Sequence, residues 1–189
     1  MSYWLNNMSR EQVADSFRQN RLVIPRDWFG DAFGILSLLI PCGLSTVGAL
    51  IPTTRFDRPI GVCFSLIFGG LFIYALYCLS TERNLTTIET QLSLDENRQI
   101  TATAFEELGW HISQNNKQVV RAFTDSIVSQ TATVLIGLNA VFINVLHTGA
   151  SRGRFPFSFG RNSKKSQQLS DSINKLLSIA KNWRWSKVG

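Results

Sequence analysis

Histidine and cysteine are nearly missing from this chain, with two and three among 189 residues. Cys42, Cys63 and Cys78 all fall in apolar runs. The polar segments therefore have no disulfide framework and no thiolate spacing for a metal, and the plainer use of the three is as small packing residues. His111 and His147 form no recognisable motif with a cysteine or a carboxylate. There is no P-loop, no G-x-S-x-G and no nucleotide-binding glycine fingerprint. Glu106 and Glu107 close a predicted helix, but adjacent positions do not face one another as an acid/base pair must. Catalysis is not expected, and neither is a cofactor or a metal site.

Charge is missing from two long stretches, Ala32 to Pro52 and Ile60 to Thr81. Each exceeds 20 residues. At about 1.5 Å per residue, either could cross a hydrocarbon core of roughly 30 Å as a helix. A secretory signal is a poor reading of the first, which lies behind a mixed-charge segment and is followed by no A-x-A-like site. The connection Thr53 to Arg58, bounded by Pro52 and Pro59, is too short for a folded external site and suits an antiparallel helix pair. The expected architecture is therefore a membrane α-helical hairpin of two transmembrane helices (32–81). A juxtamembrane segment (1–31) precedes it and a small C-terminal α+β domain (82–189) follows. Basic residues Arg18, Arg21, Arg26, Arg83 and Arg98 outnumber Arg55 and Arg58 of the connection. The positive-inside bias then places both termini in the cytoplasm, as in a multi-pass protein of a bacterial inner membrane.

Within the runs, Pro41 and Gly43 interrupt the first, and Gly69 and Gly70 sit mid-way along the second. Together with Gly48 these are the candidate packing positions, since small residues let helices approach closely within the pair or between copies. Neither run has an ionisable side chain near its centre, which argues against a proton relay, an ion-coupled transporter or an intramembrane protease.

Before the runs, Ser9 with Gln12 has the form of a capping box, and Val13 and Phe17 share one helical side. Beside a bilayer such a segment would lie along the interface. After them, Ser93 with Glu96 opens a second predicted helix carrying Ile100, Ala104 and Leu108 and closing at Gly109, a residue suited to a left-handed cap. "WHISQNNKQVVRAF" reads as two short strands around a turn at Gln114 to Lys117. "TATVLIGLNAVFINVLHTG" is uncharged and could be a third membrane helix. Its β-branched residues, its internal Asn139 and Asn144 and the break at "GLNA" favour a β-hairpin. Leu169, Ile173, Leu176, Ala180 and Trp183, spaced by three and four, predict an amphipathic C-terminal helix.

Acidic residues are also scarce at the C-terminal end. Between Ala150 and Gly189 nine lysines and arginines stand against Asp171 alone, a net +8 where the whole chain carries +6. Anionic lipid, nucleic acid and an acidic protein could each answer such a surface. Lipid is the expected partner for a domain beside a membrane, and direct nucleic-acid binding is not expected. The candidate contacts are Arg152, Arg154, Arg161, Lys164, Lys165, Lys181, Trp183, Arg184, Trp185 and Lys187. Asn162 or Ser163 would cap the helix, and the amides there could hold an anion.

The run Phe157-x-Phe159-Gly160-Arg161-Asn162-x-Lys164-Lys165 resembles a segment of uncharacterised small domains attached to some bacterial membrane proteins. In layout, two apolar runs joined to a small module, the chain is similar to the two-transmembrane effectors of bacterial phage-defence systems of the retron- or cyclic-nucleotide-linked type. That resemblance implies a non-enzymatic effector that perturbs the membrane, as a homo-oligomer or larger membrane complex, restrained by a regulatory protein or a nucleoprotein partner. The alternative is an accessory subunit or scaffold whose domain recruits a partner.

Overall fold

In the computed structural model, residues 8–24, 28–51, 57–124, 130–147 and 160–185 are described. The chain divides into two compact units. Of the described residues, one unit joins 8–24 to 83–124, 130–147 and 160–185, and the other is an apolar helix pair.

The first unit is built on a five-stranded antiparallel sheet. Its strands are β1 (Thr86–Glu89), β2 (His111–Asn115), β3 (Val119–Phe123), β4 (Gln130–Ile136) and β5 (Ala140–His147), in the order β1-β5-β4-β3-β2. The uncharged run after Thr131 is thus the β4–β5 hairpin and not a third membrane helix. Val134 lies opposite Ile143, Leu135 opposite Phe142 and Ile136 opposite Val141. At the turn Asn139 takes a left-handed φ of 63°, and the Gly137 amide donates to the Ala140 carbonyl (2.9 Å). The turn between β2 and β3 closes through the Asn116 amide on the Val119 carbonyl (2.8 Å), with a bulge between Ile112 and Gln114.

Helices cover the two faces of the sheet. On one face Val120, Ala122, Ala132, Val134, Ile143 and Val145 pack against α4 (Leu94–Glu107) and α5 (Arg161–Trp185), through Ala104, Phe105, Leu169, Ile173 and Leu177. Each such large apolar side chain, removed from water, contributes about 1.5–3 kcal/mol. Both ends of α4 are set as its sequence dictates. The Ser93 hydroxyl accepts from the Glu96 amide while Glu96 reaches back to the Ser93 amide, and Gly109 follows in the left-handed region.

On the other face lies the N-terminal segment. α1 (Arg10–Gln19) starts at the expected Ser9–Gln12 capping box and ends at Asn20, φ 47°. Met8, Val13, Leu22 and Ile24 are buried with Leu85, Val119, Leu135 and Leu146, and Phe17 meets Phe142 edge-on, centroids 5.1 Å apart. The segment therefore seals the second core of the sheet unit instead of lying along an interface. Its apolar side chains find enough apolar surface there to leave water without lipid.

Arg21 bridges Asn84, the Leu22 amide donates to the Arg83 carbonyl (2.8 Å) and Arg83 Nη1 donates to the Ile24 carbonyl (2.9 Å). The chain leaves this unit and returns to it at adjacent points, so the apolar pair is an insertion between α1 and β1.

The expected fold class needs correction on both counts. Among the described residues there are five helices, and one of them, α3 (Asp57–Thr81), is long and apolar enough over Arg58–Thr81 to cross a membrane. Among the described residues, α2 (Trp28–Leu50) supplies a shorter apolar stretch, Ile35–Leu50. Asp31 falls within the first turns of α2, so the helix begins before its apolar stretch does. The α+β unit is likewise not a small C-terminal domain, because the segment before α2 completes it.

Gln91 adopts φ 58° with its side chain exposed, between β1 and α4. A side chain there is strained and glycine is not. Gln91→Gly is expected to raise stability by about 0.5–1 kcal/mol, read as a shift in the urea midpoint. A lowered midpoint would mean that the Gln91 side chain makes a contact worth more than the strain.

Candidate functional site

The apolar pair is the candidate site, built by contact between α2 and α3. Leu38 and Ala75 are buried between the helices with Phe68, Leu71 and Phe72 packed around them. A polar clasp sits further along. The hydroxyls of Ser45 and Thr46 both donate to the Cys42 carbonyl, at 2.9 and 2.8 Å. Ser65 Oγ lies 3.2 Å from Ser45 Oγ and 3.0 Å from Thr46 Oγ1. A hydroxyl has one proton, so with those two spent on the carbonyl, Ser65 is the donor across the pair. Cys42 Sγ adds a weak contact to the Ser65 carbonyl at 3.8 Å. In apolar surroundings such a cluster sets which turn of one helix faces which turn of the other.

The predicted packing glycines are not where the helices touch. A Cβ on Gly43, Gly48 or Gly70 would meet nothing within 4 Å, and one on Gly69 would meet only Cys42 Sγ at an ordinary 3.9 Å. The close approach is at Gly61, where a Cβ would lie 2.7 Å from the Ala49 amide nitrogen. Pro41 is half-buried inside α2, which continues through it as one helix. The outward surface is strongly apolar: Leu44, Leu66 (72% exposed), Ile67, Ile73 (69%) and Tyr77 all face away from the pair.

The basic candidates divide. Arg161 and Lys164 are exposed in the first turns of α5, whose first turn has no acid. Lys165 is half-buried, with Nζ 5.6 Å from the centre of the buried Trp110 ring, so it serves the core as a cation–π contact. Lys181, Trp183, Arg184 and Trp185 lie on α5 by their backbone, their side chains being outside the description. Arg152, Arg154 and Lys187 lie outside the described residues. The expected cap by Asn162 or Ser163 is not formed. α5 begins at Arg161, the Gly160 carbonyl accepts from the Lys164 amide (2.9 Å), and Asn162 Oδ1 accepts from Gln130 Nε2 (2.8 Å), tying α5 to β4.

Glu107 accepts from the Ser172 hydroxyl (3.2 Å) and faces Lys175 (3.7 Å), a latch between α4 and α5. Among the described residues no three His, Cys, Asp or Glu side chains are grouped to hold a metal.

No protein-family model matches the chain, and no curated protein is detectably similar to it in sequence.

Proposed function

We propose that this is a non-enzymatic membrane protein anchored through α3, and that it acts as a membrane-perturbing effector controlled by its α+β unit. The observation that carries the reading is the outward apolar surface of α3. Among the described residues, nothing covers side chains such as Leu66 and Ile73, and contiguous apolar surface of that length calls for lipid or another apolar helix. The open positions Gly43, Gly48 and Gly70 support close approach by a second copy, and so a homo-oligomer or a larger membrane complex. Arg161 and Lys164 are suited to anionic headgroups, at about 1 kcal/mol for each basic residue near the surface. The compartment that suits the reading is a bacterial inner membrane with the α+β unit on its cytoplasmic side, where a regulatory protein or nucleoprotein partner would restrain that unit.

The Cys42–Ser45–Thr46–Ser65 clasp favours the rival reading, an accessory subunit or scaffold, because it makes the helix pair self-contained. Expression of the full chain in bacteria separates the two. The effector reading expects growth arrest with loss of membrane potential, both abolished by Leu66→Lys with Ile73→Lys. Normal growth with intact potential would favour the scaffold.

A further inference from the structure

The N-terminal segment is closed on itself. At its start the Ser9 and Gln12 side chains each accept from the other's amide, at 3.2 and 2.9 Å. At its far end Asn20 is left-handed, and the Arg21 amide donates to the Ser16 carbonyl (3.1 Å). The buried Ser16 hydroxyl joins the two halves. It donates to the Gln12 carbonyl (2.6 Å) and accepts from the Val23 amide (2.8 Å). Residues 9–23 thus carry their own cap and their own return, and these bonds need nothing from the sheet.

Two kinds of contact hold the segment in place. Met8, Val13, Leu22 and Ile24 bury apolar surface with Leu85, Val119, Leu135 and Leu146, and Phe17 stands edge-on to Phe142. A short tie to Arg83–Leu85 adds the Leu22 amide on the Arg83 carbonyl (2.8 Å) and the Leu85 amide on the Asn20 carbonyl (3.3 Å). Arg83 Nη1 on the Ile24 carbonyl (2.9 Å) completes it. Among the described residues this second core has eight buried apolar members, four of them from the segment, against sixteen on the opposite face. Its face of the sheet is also the more polar, since Arg121, Thr133 and Asn144 alternate along the strands with Val119, Leu135 and Leu146. Uncovering a face of mixed polarity costs less than uncovering the other, and local opening is drawn from regions with the least apolar burial.

The tie lies where the chain passes to and from the apolar pair. Ile24 stands four residues before Trp28, where α2 begins, and Arg83 two residues after Thr81, where α3 ends. We propose that residues 8–24 are a detachable strap, and that its release frees the ends of α2 and α3 and so carries a signal from the α+β unit to the membrane. The strap stands on the contacts above, and its use as a control rests on the effector reading. While it is docked, the two ends are pinned through Leu22 and Arg83. Once it leaves, that restraint is gone and the pair depends on the contacts between α2 and α3.

Hydrogen–deuterium exchange of the full chain in detergent, read by mass spectrometry, tests the strap. Peptides from 9–24 and 83–86 are expected to exchange together, about tenfold or more faster than those from β3 and β4. Phe17→Ala removes the ring that meets Phe142 and adds no charge. It should speed the strap peptides about tenfold again and leave β3 and β4 as they were. One common rate in wild type, or equal acceleration of all these peptides in the variant, would mean a single cooperative unit and overturn the strap. Labelling of Cys42 in the same detergent should rise about threefold or more in Phe17→Ala. No rise, with the strap open, would overturn its use as a control. Growth tests the reading beneath. If exchange and labelling respond while wild type and variant both leave growth and membrane potential intact, the effector reading fails and the strap is upheld.

Discussion

Phe105→Ala is expected to lower the stability of the α+β unit by about 3–5 kcal/mol, a large share of the roughly 5–15 kcal/mol that holds a domain of this kind together. Phe105 is fully buried, packed with Ala104 and the apolar face of the sheet, and its ring is stacked on Trp110 with centroids 5.6 Å apart. Truncation removes the transfer energy of the ring and leaves a cavity beside Trp110, which Lys165 flanks on the same ring system. Urea unfolding of the full chain, followed by circular dichroism, reads the loss as a lower midpoint. A change below about 1 kcal/mol would mean that the site collapses around alanine or that Phe105 does not pack as described.

Gly61→Leu should do comparable damage to the other unit. The missing Cβ faces the backbone of Ala49 at 2.7 and 2.9 Å, so no rotamer change relieves the contact and the helices must separate. Overpacking of this kind costs about 3 kcal/mol. The labelling rate of Cys42, which is half-buried against Ser65, reports the separation when read by mass spectrometry in detergent. The rate is expected to rise by about tenfold or more, since each tenfold corresponds to about 1.4 kcal/mol. Gly70→Leu points into open space and should leave it unchanged. Equal rates in the two variants would contradict the placement of the close contact at Gly61.

That contrast shows where sequence reasoning about this chain ends. Glycine content marks a helix as able to approach a partner, but which glycine does so depends on how the helix is rotated about its axis. No local pattern encodes that rotation. Local signals were legible: both capping boxes, the left-handed Gly109, the two β-hairpins and the apolar stripe of α5 with Leu169 and Ile173 buried.

Features set by distant partners were not. β1 is four residues long and buries only Ile88, too little for a period-two pattern to stand out, and it exists because β5 pairs with it. Val13 and Phe17 read as one side of an interfacial helix because the sheet face they pack on, with Val119, Leu135 and Phe142, comes from far along the chain. The turn expected at Gln114 to Lys117 begins later, because Gln114 lies in β2 opposite Arg121, and only cross-strand register shows that Gln114, Arg121, Thr133 and Asn144 form one buried line.

The account rests most heavily on α3 being in lipid, and alkaline carbonate extraction of membranes from cells making the full chain tests that directly. The wild-type protein is expected to stay in the membrane pellet. Leu66→Lys with Ile73→Lys should release it, since each lysine near the middle of a bilayer costs about 2.5–3.5 kcal/mol. Both replaced side chains face outward, so on a helix that sits in water the same two lysines would be harmless. Wild-type protein found in the soluble fraction, with the double variant behaving identically, would contradict the membrane reading and leave the apolar face of α3 to a protein partner.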